Sequence, residues 1–378
     1  MPEINASDEN WAVLLSLLPL QWEQQAILCR AVERLRGFDS VGTVLRTLLL
    51  HVGKGYSLSE TAVRAKAAGF AQVSAVTVLH RLRKAEHWLH QLCVALVREG
   101  DWEIPLETHG WNVRAVDSTL VKEPGRQGQQ WRIHYSLRVP SLVCDHLELT
   151  PTKGAGTGER LERAGSQSGD LVLADRGFCK PPGIIALSRK GAAVIVRLNT
   201  SSLPLYQADG EAFPLLDRVQ TLAEPGTTGA WPVWVQAAGA RIEGRLCVVR
   251  KSAQAEQVAL RKIRRKSQQG GPQPQAGTLV CAAYVMVFTT LPAEVFSPPA
   301  VLEWYRSRWQ IELVFKRLKS IAGLGHLHAY DPASARAWLY GKLLLALLCQ
   351  KLSRLGRDIS PWGYRLPETW KWQRVAGF

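Results

Sequence analysis

The sequence predicts a mixed α/β protein placed behind an all-helical N-terminal region, and three observations predict it. Residues 1–107 contain few β-branched runs and divide into helix-length segments. From Trp111 onward the texture changes to short apolar runs separated by Gly, Pro and polar turns, as strands are. Those runs then alternate with helical stretches, the pattern of a sheet covered by helices. With 378 residues, of which 46% are hydrophobic, the chain can hold two or three folded domains.

Within the N-terminal region, "YSLSETAVRAKAAGF" and "SAVTVLHRLRKAEHWLHQL" read as two helices about a turn at Gly69. Ser57 or Ser59 is positioned to cap the first and Ser74 the second. The second helix carries Arg81, Arg83 and Lys84. Two readings stay open: a helix-turn-helix that sets these three cations on DNA, or a helical hairpin packed in a bundle.

Past that region, "WNVRAVDSTLV", "QWRIHYSLRV" and "LVCDHLELT" predict three strands. A helical stretch at "GERLERAG" follows, then a buried strand in "DLVLADRGF". "PPGIIALSRKG" predicts a helix opened by proline, and "AAVIVRL" another strand. Residues 200–280 break this alternation and read as a β-rich insertion, with the basic segment "LRKIRRKSQQGGPQPQ" as an exposed loop at its end. "TLVCAAYVMVFTTLP" returns to strand, "EWYRSRWQIELVFKRLKSIAGLG" predicts one amphipathic helix, and a last long helix closes the fold. The expected division is a helical domain at 1–107, a catalytic-type core at 108–199 and 281–355, the insertion between them, and a short tail at 356–378.

Charge points to a polyanionic partner. The formal charge is +15, and residues 1–107 hold 11 Lys/Arg against 12 Asp/Glu, so the surplus lies in the later part, which has 36 against 20. Nucleic acid is the first partner such a surplus fits. Seven cysteines stand singly with no CxxC pair, against a disulfide framework or structural zinc. The expected location is a reducing cytoplasm, associated with the nucleoid. The acidic start lacks a secretory signal's basic residues, and "WLYGKLLLALLC" is too short to span a bilayer.

The "EWYRSRWQ…" helix carries Tyr305, Arg308, Glu312, Lys316 and Lys319 on one narrow stripe at about 100° per residue, with Ile311, Val314, Leu318 and Ile321 opposite. Arg308 and Glu312, four apart, form an ordinary surface pair unless other residues give Glu312 a second task. Two acids supply that possibility. Asp117 lies inside the first strand and Asp175 ends the buried strand "LVLAD", where acids are disfavoured and where ligands of open sheets gather. Three converging carboxylates repel one another, and divalent cations relieve that repulsion. Mg²⁺ takes a few carboxylates together with phosphate oxygens, and a pair of such ions drives phosphodiester displacement.

Tyr305-x2-Arg308-x3-Glu312-x6-Lys319, with "AVDST", "WRIH" and "ADRGF", resembles the signature of DDE transposases of the insertion-sequence-four family. The acids are separated by 58 and 137 residues, and the longer gap matches the β-strand insertion that this family places before its glutamate helix. The resemblance implies an RNase H-like core and cut-and-paste DNA transposition. It further implies two Mg²⁺ ions, replaceable by Mn²⁺, on Asp117, Asp175 and Glu312. Tyr305, Arg308 and Lys319 would contact phosphates near the cut end, with Lys316 beside them. Terminal inverted repeats and target DNA would be the partners, and a homodimer would pair the two ends. Relatives stack a flipped base on an insertion tryptophan. Val285 holds the nearest position here, which leaves Tyr284, Trp231 and Trp234 as candidates. The alternative is an RNase H-like nuclease, or a domesticated relative, that cuts DNA without strand transfer.

Overall fold

The computed structural model describes residues 6–99, 110–123, 130–139, 141–320, 322–325, 327 and 331–358. Its N-terminal part is helical throughout: α1 (Ala6–Ser16), α2 (Trp22–Leu28), α3 (Val41–Lys54), α4 (Leu58–Ala67), α5 (Ala75–Lys84) and α6 (Glu86–Arg98). Ser40, Ser57 and Ser74 each accept a hydrogen bond from the backbone N–H three residues on. These caps satisfy donors that a helix start leaves open. Ser57 rather than Ser59 therefore begins α4. Gly69, at φ +75, makes the turn toward α5 in a conformation that a side chain would strain.

The remaining elements follow as β1 (Asn112–Lys122), β2 (Gln130–Arg138), β3 (Cys144–Pro151), β4 (Asp170–Ala174), α7 (Pro181–Arg189), β5 (Ala193–Arg197) and α8 (Leu215–Gln220). After these come β6 (Thr228–Ala237), β7 (Ala240–Arg250), α9 (Ala253–Gln268), α10 (Ala276–Cys281), β8 (Tyr284–Thr289), α11 (Pro298–Ser307), α12 (Trp309–Ser320) and α13 (Pro332–Asp358). Eight strands form one sheet in the order β3-β2-β1-β4-β5-β8-β7-β6. The β1–β4 and β4–β5 pairs are parallel and the others antiparallel. All five residues of β4 are buried, as a central strand covered on both faces requires. The strands of the 200–280 stretch, β6 and β7, extend this same sheet through β8.

Helix α13 joins the two halves. It packs against α3, α5 and α6, and one apolar cluster runs from Leu45 and Leu89 through Trp338 and Leu344 to Ile133 and Phe315. Close approach depends on Gly341, where an added Cβ would stand 3.1 Å from Val52 Cγ1. Arg336 donates to both carboxylate oxygens of Glu86, at 2.6 and 2.9 Å.

Four local expectations are corrected. "GERLERAG" forms only a 3-10 turn, Leu161–Ala164, ended by Gly165 at φ +61. The charged part of the basic segment is not a loop: residues 260–268 lie in α9, capped by Ser252 and rich in the good helix formers Ala, Gln, Leu, Arg and Lys, and only residues 269–275 are irregular. None of the residues of α9 is buried. The strand expected over 278–292 starts only at Tyr284, because 276–281 is helical and the alanines before Tyr284 are weak strand formers. Finally, the "EWYRSRWQ…" segment is two helices, α11 and α12, parted at Arg308. At the break Arg308 keeps helical angles, but its N–H donates to the Tyr305 carbonyl and the Ile311 N–H to the Arg308 carbonyl, three residues back rather than four. Tyr305 and Arg308 turn inward while Glu312, Lys316 and Lys319 stay more open to solvent, so the five polar groups do not share one solvated stripe. Ile321, expected on the buried face, falls outside the described residues.

Candidate active site

Two carboxylates reach the same level of the sheet because β1 and β4 run parallel. Val116 and Ala174 form the last rung of that ladder, and the next residue on each strand is an acid, Asp117 and Asp175. Neighbouring strands lie about 4.8 Å apart, which sets the two acids side by side. Asp117 continues in β1 opposite Tyr135 of β2. Asp175 leaves the sheet at the 3-10 turn Arg176–Phe178 without using its side chain as a cap.

Helix α12 brings the third acid. Ile311, Phe315 and Leu318 are buried, Phe315 stands edge-on to Tyr135 at 5.9 Å, and α12 lies over β1. Glu312, in the first turn of α12, has its side chain 58% exposed. Arg308 links it to the sheet. Its Nη2 donates to Glu312 Oε1 at 2.5 Å, and its Nη1 stands 3.7 Å from Asp117 Oδ2. The pair anticipated four residues apart therefore exists, but its arginine is buried and also faces Asp117. Tyr305 is 8% exposed. Its hydroxyl has no hydrogen-bond partner among the described residues, and the Arg308 guanidinium lies 5.8 Å from its ring centre. Lys316 and Lys319 lie on α12 beyond Glu312, both exposed.

Burial pushes the Asp117 carboxyl up to about 6, and the charges of Glu159 and Asp175 add to the rise. The Ser118 N–H and Arg308 oppose it. Burial also raises the Tyr305 phenol. For Arg308, burial acts to lower the pKa, but Tyr305, Glu312 and Asp175 outweigh it and hold the group above its usual value. Arg308 and Asp117 thus face each other in a poorly solvated spot, with Glu312 at its exposed edge.

The sign of the Asp117 shift gives a stability prediction. Ionising a carboxyl whose folded pKa is raised costs nothing below about pH 4, and the penalty grows until about pH 6 and then stays. In the metal-free protein, Asp117→Asn is therefore expected to raise stability at pH 8 by roughly 2–3 kcal/mol, with no gain at pH 4. Urea melts of both proteins at the two pH values check it. A variant less stable than wild type at pH 8 would mean that Asp117 supports the fold rather than burdening it.

The donor set suits a hard divalent cation. It consists of carboxylate oxygens, two of them in register and one desolvated, and such hard donors favour Mg²⁺ or Mn²⁺ over a softer metal. Among the described residues no three acidic, histidine or cysteine side chains already stand together as a cage, and Glu312 is engaged by Arg308. A cation between Asp117 and Asp175 would relieve the repulsion that Arg308 now offsets.

The other predicted residues do not join this site. Arg81 donates to the Arg34 carbonyl, Arg83 pairs with Asp331 at 2.8 Å, and Lys84 with Glu33 at 2.7 Å. Tyr284 is buried, and its hydroxyl accepts from Arg250 at 2.9 Å. Trp231 and Trp234 are half-buried on β6. Sequence reading passed over Ser118, Arg132 and Glu159, which form a bonded group beside Asp117. Ser118 follows the acid directly, but Glu159 lies in an irregular stretch where no periodicity marks it.

An eight-stranded mixed sheet behind a set of N-terminal helices is an RNase H-like fold. The transposase DDE domain family matches residues 109–349. InsL, of insertion sequence element IS186A in Escherichia coli strain K12, is 31% identical over 368 residues, covering 95% of this chain and 98% of InsL. The transposase of insertion sequence element IS421 from Escherichia coli is 31% identical over 369 residues, with the same coverage. The transposase of IS231F from Bacillus thuringiensis subsp. israelensis is 26% identical over 195 residues, 48% of this chain and 41% of that one. The chain belongs to the DDE transposase family, and it is a transposase, an enzyme that cleaves DNA and transfers strands. That family generally depends on divalent metal ions. Among the described residues, no helix is long and apolar enough to cross a membrane.

Proposed function

We propose that the chain moves an insertion sequence by cut and paste, as a transposase of the insertion-sequence-four type. The observation that carries the reading is the register of Asp117 and Asp175, joined to Glu312 through Arg308. Asp117, Asp175 and Glu312 would hold two Mg²⁺ ions, with Mn²⁺ as a substitute. Such ions, when bound, activate a water or a 3′-hydroxyl and stabilise the leaving oxygen of an in-line displacement. Asp117 supplies a carboxylate fixed by the sheet, and Asp175 one at a strand end. Arg308 neutralises Asp117 and Glu312 until the site is loaded, and its planar fork then suits a phosphate. Tyr305 offers a buried hydroxyl beside it. Lys316 and Lys319 meet the DNA backbone as point charges that position without reading sequence.

The α4–α5 pair serves the terminal inverted repeats, with its serine caps and Gly69 turn as support. Arg83 and Lys84 would exchange their partners Asp331 and Glu33 for phosphates. Two copies pair the two ends, since each end needs an active site.

The experiment is an end-labelled duplex carrying the element's terminal repeats, incubated with protein, target plasmid and either Mg²⁺ or a chelator. Cleavage at the repeat and covalent joining to plasmid, both lost with the chelator, are expected. Cleavage without joining would replace the proposal with the nuclease reading.

Helix α9 supplies a separate prediction. Arg261, Lys262, Arg264, Arg265 and Lys266 lie on a helix with no buried residue, so they are proposed to follow the DNA backbone. Neutralising all five is expected to flatten the plot of log affinity against log salt by about 0.9 for each phosphate left without its cation. An unchanged slope would leave α9 as solvated surface.

A further inference from the structure

Both acid-bearing segments of the sheet touch one side chain that belongs to neither. Glu159 Oε1 accepts from Ser118 Oγ at 2.7 Å and from Arg132 Nη1 at 3.0 Å. Arg132 Nη1 also donates to Ser118 Oγ at 2.9 Å, which closes a three-membered hydrogen-bonded ring. Ser118 in turn donates its backbone N–H to Asp117 Oδ1 at 2.7 Å. The second oxygen of Glu159 meets the other segment: a Cβ placed on Gly177 would overlap Glu159 Oε2. Gly177 is two residues past Asp175, inside the 3-10 turn that Asp175 begins. Its φ is not in the left-handed region. Space for Glu159, rather than backbone freedom, is therefore what glycine supplies there.

We infer that Glu159 is a positioning residue that braces the Asp117 strand against the Asp175 turn. The inference rests on the reading of Asp117 and Asp175 as metal ligands. The route runs from Glu159 through Ser118 to the Asp117 carboxylate on one side, and by contact with Gly177 to the Asp175 turn on the other. Its charge is balanced by Arg132 at 3.0 Å, so the brace adds a fixed support without leaving an unpaired acid. Removing a carboxylate ligand's own hydrogen-bonded partner typically weakens metal binding by about 10–100-fold. Glu159 acts one bond further out, on Ser118, whose backbone N–H is that partner, so the lower end of the range is expected.

Two different residues test the same device. Glu159→Ala removes the carboxylate. Gly177→Ala changes no charge and pushes Glu159 off its partners. In the full-length protein, each is expected to raise the Mg²⁺ concentration for half-maximal end cleavage by about tenfold. Cleavage at saturating Mg²⁺ should stay within about threefold of wild type, since every metal ligand is retained. Each should also shrink the rise in melting temperature produced by Mn²⁺, a readout independent of catalysis. Glu159→Gln keeps an oxygen for Ser118 but loses the charge facing Arg132, so it should fall between. The double variant should be no worse than either single one, because both act through one device. A metal dependence unchanged in Glu159→Ala, or effects that multiply in the double variant, overturns the brace. Wild-type protein that neither gains melting temperature with Mn²⁺ nor cuts end DNA overturns the metal site itself, and the brace with it.

Discussion

Replacing Glu312 with glutamine is expected to abolish strand cleavage, by about 10³-fold or more, while folding and binding to end DNA persist. The reason is a contrast of magnitudes. An exposed helix pair contributes at most about 0.5 kcal/mol, and Glu312 is more than half exposed. As a mere partner of Arg308 it would be nearly silent. As a metal ligand it would be indispensable, because glutamine has the shape but not the charge that a divalent ion requires. Asp117→Asn and Asp175→Asn should give the same loss, and combining them with Glu312→Gln should add little, since all three serve one metal cluster. Lys319→Ala should differ in kind, weakening DNA positioning without changing metal dependence. Labelled end DNA in Mg²⁺, run beside melting temperature and gel shift, measures all of these. A Glu312→Gln protein that cuts at near wild-type rate would end this assignment of the site.

The largest stability loss is expected at a place without catalytic groups. Arg114 is 3% exposed, and three acceptors hold it: Asp145 Oδ1 at 3.2 Å, Asp170 Oδ2 at 2.8 Å and the Ala164 carbonyl at 2.7 Å. Burial acts to lower its pKa, but the two aspartates reverse that and keep the group charged. Asp170→Ala would leave a buried guanidinium short of one partner, which costs about 3–5 kcal/mol. It would also remove the acceptor of the Gln167 N–H at the start of β4, the strand that leads into Asp175. Denaturant melts should show this loss, and a change below about 1 kcal/mol would mean that Asp145 alone satisfies Arg114.

The acids of the candidate site stand out in the sequence because carboxylates inside or ending apolar strands are conspicuous. Asp117 and Asp175 are marked by their apolar neighbours, and the serine caps of α4 and α5 and the proline start of α7 fall where their chemistry puts them. The register that sets the two acids side by side was not legible, since strand pairing is decided by packing across the sheet. Nor was the break at Arg308. Helical periodicity runs unbroken through the sequence there, and the parting of α11 from α12 is a local change of backbone hydrogen bonding at Arg308 that side-chain pattern does not mark. Arg81, Arg83 and Lys84 show another limit. Their spacing gave a basic face, whereas the partners that engage two of them, Asp331 and Glu33, lie 248 and 51 residues away, beyond the reach of local pattern. The α9 segment failed in the opposite sense, because Gly and Pro downstream made a well-capped helix look like a loop.

The clasp of α13 bears on synthesis as well as on the finished fold. The N-terminal helices emerge from the ribosome first, yet Leu45, Leu48, Leu89, Leu92 and Cys93 share a core cluster with Trp338, Leu343, Leu344 and Leu347. Lys351 closes the far end, donating to Glu99 and to the Leu17 carbonyl. Until α13 has been made, part of that apolar face has nothing to cover it except chaperones, other strands of the nascent chain or water. Prematurely terminated chains would thus present an unfinished N-terminal region prone to aggregate, rather than a competent repeat-binding fragment competing with the intact enzyme.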